Sequence, residues 1–319
     1  YKAKKASPVE VAQSVLNRIE NLQPTYNAFC LTDPERTLND ARQSETRWNK
    51  HQPNGLVDGI PTTIKDLMLS KGWPTLRGSK TVDPQQNWNE DGPIVARMRD
   101  HGAIFVGKTT TPEFGWKGVT DSPLTGTTRN PWNSELTSGG SSGGAAVAAA
   151  LGMGTLNIGS DGGGSIRMPA GFCGIFGLKP TFGVVPAYPQ STMGSLSHHG
   201  PMTRTVEDAA LMLTVISEPD VRDWSAGPHR MINYHENLEN EISGLRIAYS
   251  PSLGFATVDE HVSEVVEKSL RHFEVLGADI MQVDPGIEDP IDTMITLWSV
   301  GLAVLIENTP PGRHELMDQ

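Results

Sequence analysis

The stretch Thr137–Thr181 constrains this chain more than any other. It reads T-S-G-G-S-S-G-G-A-A-V-A-A-A-L and, a few residues on, G-S-D-G-G-G-S-I-R-M-P-A-G-F-C-G-I-F-G-L-K-P-T. Two serine sites, Ser141 with Ser142 and then Ser165, sit in glycine-rich backbone joined by an alanine-rich segment. Glycine reaches backbone angles closed to other residues and carries no side chain to block a close approach. Gly162, Gly163 and Gly164, immediately before Ser165, therefore point to main-chain N–H groups aimed at a negative charge. Donors fixed where charge develops only in a transition state form an oxyanion hole. A flexible Gly/Ser linker is the alternative. The apolar flanks Ala145–Leu151 and Ile175–Leu178 argue against it.

A serine hydroxyl is a poor nucleophile until a base takes its proton. None of the nine histidines stands in a pattern that suggests this role. His198 and His199 are adjacent, and neighbours on an extended segment point to opposite faces. Lys65, between Ile64 and Asp66-Leu67, is the other candidate, because partial desolvation favours the neutral amine. Holding a lysine neutral near pH 7–8, from a free value of about 10.4, costs on the order of 4 kcal/mol. A salt bridge to Asp66 is the competing reading, and local sequence alone favours it.

Two further motif matches compete. Gly139–Gly143 satisfies G-x-S-x-G, the nucleophile elbow that would make Ser141 the attacking group with a later acid and histidine. That reading leaves Lys65 and the loop before Ser165 without a role. Gly102–Thr109 satisfies the phosphate-binding G-x-x-x-x-G-K-[ST] pattern. Its interior, Ala103-Ile104-Phe105-Val106, is apolar and reads as a buried strand, and Pro112 follows soon after Lys108. A strand end is the expectation.

The blocks G-G-S-S-G-G (Gly139–Gly144) and G-S-D-G-G-G-S-I-R-M-P-A (Gly159–Ala170) resemble the hallmark of the amidase signature hydrolases. Upstream, G-I-P-T-T-I-K-D (Gly59–Asp66) is similar to the family's lysine motif. G-K-T-T-T-P-E-F (Gly107–Phe114), T-R-N-P-W-N (Thr128–Asn133) and G-P-M-T-R-T-V-E-D-A-A (Gly200–Ala210) resemble other segments of it. The resemblance runs from about residue 7 to 285, over too many fixed positions for coincidence. It implies an α/β fold with one large mixed, twisted sheet covered by helices on both sides. It also implies a Ser–cisSer–Lys triad, with Ser165 as nucleophile, Ser141 as the bridging serine after a cis peptide bond at Gly140–Ser141, and Lys65 as base. The N–H groups of Gly162, Gly163, Gly164 and Ser165 would hold the oxyanion. Ser142, Asp161 and Arg167 would support the loop, and Phe114, Gly115 and Trp116 are candidates for the wall around substrate.

The implied activity is hydrolysis of a carboxamide through an acyl-enzyme, without metal or cofactor. Two other readings are weighed. One is the glutaminase subunit of an aminoacyl-tRNA amidotransferase, which the segment Tyr188–His199 resembles less than it does stand-alone amidases. The other is a non-catalytic interaction protein that keeps the fold. The expected organisation is one domain over 1–319, with N-terminal helices in 1–55, a catalytic core in 56–217 and a peripheral βαβ region in 218–319. The family's domain continues beyond the position of Gln319, so its C-terminal part is expected to be missing here.

Composition narrows the partners. A formal net charge of −11 argues against a nucleic-acid-tracking surface. Cys30 and Cys173, two cysteines far apart, do not make a disulfide framework, and a reducing cytoplasm is the expected location. The apolar runs 145–159 and 295–306 fall short of the ~20 residues of a typical membrane span. The partner that the resemblance implies is a small-molecule amide; no nucleic acid and no membrane are expected, and a homodimer is the assembly considered.

The remaining elements follow from capping and periodicity. Ser7-Pro8-Val9-Glu10 opens a helix with a capping box, and Val11, Val15, Ile19 and Leu22 mark its buried face. A polar helix is expected over 34–48, a short one over Pro93–Asp100, and one over Ala145–Leu151 whose start faces Ser141. Strands are expected at 56–69 (strand or loop), Ala103–Val106, Ile175–Leu178 and Gly183–Val185. Thr205 caps a helix that buries Val206, Ala209, Leu213 and Ile216. Residues 218–241 read as a surface excursion. Leu245–Tyr249, Val258–Leu276 and Asp279–Val283 read as strand, helix and strand, the helix with an apolar stripe. Ile291–Ile306 reads as a final helix. Alternation of strands and helices argues for a largely parallel sheet.

Overall fold

The computed structural model describes residues 1–228, 232–236 and 238–318. They fall into two compact units, Tyr1–His235 with Gly301–Gln319, and Glu236–Val300. Four residues of the expected excursion over 218–241 (229–231 and 237) lie outside the described residues.

The first unit is built on a six-stranded sheet in the order β1-β3-β2-β6-β8-β7. Its strands are β1 (Phe29–Thr32), β2 (Pro61–Lys65), β3 (Ile104–Thr109), β6 (Leu156–Asp161), β7 (Phe176–Gly177) and β8 (His198–Thr203). The short hairpin strands β4 (Asp121–Ser122) and β5 (Gly126–Thr127) pair apart from it. Only the centre is parallel, β2 with β3 and with β6; β1, β8 and β7 join antiparallel. The sheet is therefore mixed, which corrects the largely parallel arrangement suggested by strand–helix alternation. Alternation sees only neighbours along the chain, and the antiparallel partners come from far apart in it.

Helices cover both faces. They are α1 (Pro8–Tyr26), α2 (Pro34–Asn49), α3 (Pro93–Asp100), α4 (Gly143–Ala150), α5 (Arg167–Cys173) and α6 (Val206–Ile216). The period-2 geometry of a strand splits the core in two: Phe105 joins one cluster and its neighbour Val106 the other. The first cluster packs Ile94, Val95 and Met98 of α3 and Met212, Leu213 and Ile216 of α6 against Ile64, Leu156 and Ile158. The second packs Val15 and Ile19 of α1 and Ala145–Ala148 of α4 against Phe29, Ile166 and Met202.

Local chemistry explains the boundaries. Ser7 N–H donates to Glu10 Oε2 at 2.8 Å while Glu10 N–H donates to Ser7 Oγ at 3.2 Å, closing the capping box. Thr205 Oγ1 accepts the N–H of Asp208 at the start of α6. Val206, the first residue of that helix, is 45% exposed rather than buried, because the stripe begins only one turn later. Gly183–Val185 forms no strand; a turn closes there with Val184 N–H donating to the Thr181 carbonyl.

The second unit holds β9 (Arg246–Tyr249), α7 (Glu260–Val275) and β10 (Asp279–Gln282), with β9 and β10 parallel. This is the expected strand–helix–strand order. The apolar stripe of α7 is not buried, however: Val262, Val265 and Phe273 are all more than two-fifths exposed. Helix α8 (Ile291–Asn308) follows and is the one helix, among the described residues, long and apolar enough by length and composition to cross a membrane. That differs from the expectation that no apolar run in the chain reaches such a length.

Candidate active site

Lys65 is the last residue of β2, a strand buried at all five positions. Its side chain leaves the face of the sheet and is completely buried. Its Nζ lies 2.8 Å from Ser141 Oγ, 2.8 Å from Ser142 Oγ and 2.9 Å from Ser160 Oγ. Burial pushes its pKa down to about 7, with the charge of Asp161 opposing. A neutral amine has two protons and one lone pair, so one of the three hydroxyls must donate to it. Ser142 Oγ donates to the Ser160 carbonyl at 3.1 Å and is thereby committed. Ser141 Oγ and Ser160 Oγ have no other hydrogen-bond partner among the described residues, so the proton aimed at Nζ comes from one of these two.

The competing ion pair is not formed. Asp66 Oδ1 instead meets Lys108 Nζ at 2.9 Å, both side chains being buried. Lys108 also donates to Thr75 Oγ1 at 2.6 Å and to the Pro74 carbonyl at 2.9 Å. The phosphate-loop look-alike is accordingly a buried strand, β3, with its lysine turned into the protein.

Ser141 and Ser142 stand at the start of α4. The peptide bond between Gly140 and Ser141 is cis, as the resemblance implies. The glycines around it are required by close contact. A Cβ on Gly140 would lie 2.6 Å from the Val119 backbone, and one on Gly144 would overlap Thr110 and the Ala28 carbonyl. Ser142 N–H donates to the Ser165 carbonyl at 3.1 Å, tying the two serine segments together.

Ser165 is 5% exposed and ends the loop that leaves β6. Asp161 organises that loop: its carboxylate accepts from Gly164 N–H at 2.7 Å, Ile166 N–H at 3.1 Å, and Arg167 Nε and Nη2 at 2.9 Å each. Burial disfavours the ionised Asp161, but Arg167 and the backbone N–H groups overcome it and hold the carboxyl at about 2. Gly164, at φ 118°, is thus corrected from an oxyanion donor to a loop-closing residue, since its N–H is already engaged. Gly162 is half-buried and Gly163 exposed, and among the described residues their N–H groups and that of Ser165 have no protein partner. The Ser165 hydroxyl likewise makes no protein hydrogen bond among the described residues.

Gly115, at φ 74°, comes so near the site that a Cβ there would sit 3.2 Å from Ser141 Oγ. Phe114 and Ser160 line a cavity of about 140 Å³ that continues past Leu67, Tyr188 and His199. Trp116 is not among the residues lining this cavity, and its ring lies 5.9 Å from Lys117 Nζ. His198 Nδ1 donates to the Leu196 carbonyl at 2.8 Å, and among the described residues neither histidine of the pair hydrogen-bonds Ser141, Ser142 or Ser165 through its side chain. The neighbour of Ser141 Oγ is thus a lysine and not a histidine, which is not the arrangement that the nucleophile-elbow reading requires. Ser160 is the partner that reading the sequence left without a role. Its place one residue before Asp161 on β6, pointing the way opposite to its neighbour, was the available signal.

Comparison with known proteins agrees with this geometry. The amidase family profile matches residues 10–308. An acylamidase of Rhodococcus erythropolis is 40% identical over 302 residues, which are 93% of this chain and 62% of that protein. A glutamyl-tRNA(Gln) amidotransferase subunit of Carboxydothermus hydrogenoformans is 38% identical, over 87% of this chain and 57% of that protein. The chain thus spans about three-fifths of the length of these relatives. Among solved structures, a bacterial aryl acylamidase superposes with a TM-score of 0.90 at 29% identity, covering 100% of this chain and 68% of its own. The peptide amidase of Stenotrophomonas maltophilia gives 0.80 at 29% identity, with 89% and 60% covered. The matching profile, the relatives and the shared fold agree that the chain belongs to the amidase signature family.

Proposed function

We propose that this chain hydrolyses a carboxamide to a carboxylate and ammonia or an amine through an acyl-enzyme formed on Ser165. The observation that carries the reading is Lys65: a fully buried amine near neutrality, ringed by three hydroxyls at 2.8–2.9 Å. Such a group is a base poised at working pH.

Neutral Lys65 takes the proton of Ser141 as Ser141 takes that of Ser165, and Ser165 Oγ attacks the carbonyl carbon. Ser165 and Ser141 must close to hydrogen-bond distance when substrate arrives, since catalytic bonds tighten in the complex. The N–H groups of Gly162, Gly163 and Ser165 receive the negative charge that forms on oxygen. Ser141 then returns a proton to the departing nitrogen and is reprotonated from Lys65. That transfer matters most for amides, because an amine anion is a very poor leaving group. Water, deprotonated through the same relay, attacks the acyl-enzyme and releases the acid. Asp161 and Arg167 hold the loop in place throughout, and Ser142 steadies Lys65 from a second direction.

Ammonia release from a panel of amides, run beside Ser165→Ala, tests the reading, and phosphonate labelling with peptide mapping locates the nucleophile. An adduct on Ser141 in place of Ser165 would favour the elbow arrangement. The amidotransferase relative supports a second reading, glutaminase action for a partner protein, which glutamine turnover with and without such partners would separate. A cytoplasmic location is part of the proposal.

A further inference from the structure

The cavity beside Ser160 contains a cation that the proposed hydrolysis does not use. Arg77 follows β2 in left-handed backbone, φ 57°, a conformation that a side-chain-bearing residue keeps only where its surroundings enforce it. Phe114 N–H donates to its carbonyl at 2.7 Å, which fixes the residue beside the cavity wall. Its guanidinium has no hydrogen bond or ion pair among the described residues. The carboxylate whose field reaches it, Asp66, is already bonded to Lys108 at 2.9 Å. Burial pushes the pKa of Arg77 down, opposed by Asp66, yet a guanidinium stays charged at any working pH. The half-buried guanidinium, unpaired within the protein, is therefore open to an anion entering the cavity it lines.

Two observations tie this cation to a ligand. Arg77 lines both the 140 Å³ cavity and a neighbouring one of about 290 Å³, and shares Leu69, Phe114 and Leu305 between them. The walls it shares are apolar and cannot compensate its charge. In the first cavity, moreover, the Nδ1 of His199 is buried with no hydrogen-bond partner. Burial, reinforced by Lys65, lowers the His199 pKa to about 4, so its ring is neutral and can present one N–H donor.

We infer that the substrate is a carboxamide bearing a second, anionic group, a carboxylate, which Arg77 receives in its planar fork while the amide lies at Ser165. Arginine suits this because its fork matches carboxylate geometry with two parallel bonds. His199 supplies a further donor. The inference rests on the amide-hydrolase reading, and its test keeps the two apart.

Ammonia release is measured for ω-carboxylated primary amides, succinamate to adipamate, and for neutral alkanamides of matching length, giving kcat/KM for each. The best carboxylated amide is expected to exceed its neutral match at least tenfold. Arg77→Met reduces that ratio at least tenfold and Arg77→Lys, which keeps the charge, restores part of it. Binding is read separately by calorimetry on Ser165→Ala, where adding Arg77→Met weakens the carboxylated amide at least tenfold more than the neutral one. Selective binding without ammonia release sinks hydrolysis and leaves the anion site standing. A wild-type preference for neutral amides, equal losses for both classes in Arg77→Met, or no binding of any carboxylated amide overturns the anion site.

Discussion

Protonating Lys65 should switch the site off, and its burial sets both the pH at which this happens and the energy involved. With its pKa at about 7, most of the amine is neutral at pH 8 and about one part in a hundred at pH 5. The proposed mechanism needs the neutral form, so kcat/KM should drop about a hundredfold between those values, tenfold per pH unit at the acid end. A solvated lysine would place that limb near pH 10 instead. Lys65→Met removes the base, and its residual activity should show no limb at 7. The same burial acts on stability. The folded value lies below the unfolded one, so the ammonium destabilises the fold. The penalty is absent above about pH 10.5, grows as pH falls to 7, and is constant below. The gap between those pH values corresponds to about 5 kcal/mol. Raising pH from 7 to 9.5 should therefore stabilise wild type relative to Lys65→Met by about 3 kcal/mol. Denaturant unfolding of both chains at the two pH values measures this, beside an ammonia-release profile from pH 5 to 9. A wild-type profile that is flat through pH 6–8, or a stability difference indifferent to pH, would refute the reasoning.

Other substitutions probe separate parts of the site. Ser165→Ala should lower amide turnover by about 10³-fold or more with the unfolding midpoint unchanged, since this hydroxyl makes no hydrogen bond among the described residues. Arg167→Met leaves the buried Asp161 carboxylate without its guanidinium. We expect a loss of about 2 kcal/mol at pH 7 in denaturant unfolding, a discounted value because Arg167 is half-exposed. Asp161 contributes stability above its unfolded value near 4 and loses it as pH falls toward 2; acid unfolding of the Arg167→Met chain should begin at higher pH than in wild type. Gly144→Ala forces a methyl into the backbone around Thr110 and should cost about 1–3 kcal/mol. Gly171→Ala, inside α5 with nothing within 4 Å of the new carbon, should add up to about 1 kcal/mol; thermal unfolding distinguishes the two signs.

What could be read from the sequence was what depends on neighbours along the chain. The box Ser7–Glu10 forms within four residues, and the glycine block that brings Ser141 and Ser142 to Lys65 carries its own backbone requirements. Partner choice across the fold was not legible. Asp66 adjoins Lys65 in sequence but bonds Lys108, more than forty positions away, because successive strand residues point to opposite faces. The same alternation put Ser160 on Lys65 and sent Asp161 toward Arg167. The edges of the sheet escaped the reading for a related reason: β8 pairs with β6 antiparallel across a connection of more than thirty residues with no parallel crossover in it. Gly164 shows a limit of another kind, since a motif specifies which N–H groups are near an anion but not which of them a carboxylate has already taken.

Helix α4 has a consequence of its own. It is made of Gly143, Gly144, five alanines and one valine, and seven of its eight residues are buried. With hardly any side chain between helix and sheet, the two serines at its head inherit the stiffness of the strands beneath. Lys65, Ser141 and Ser142 thus stand on the sheet and at the head of this bare helix, whereas Ser165 stands on the loop after β6 and much of the cavity wall, Arg77, Phe114 and Tyr188 among it, lies on loops. Exchanging loop residues can change what is accepted while the proton path stays as it is.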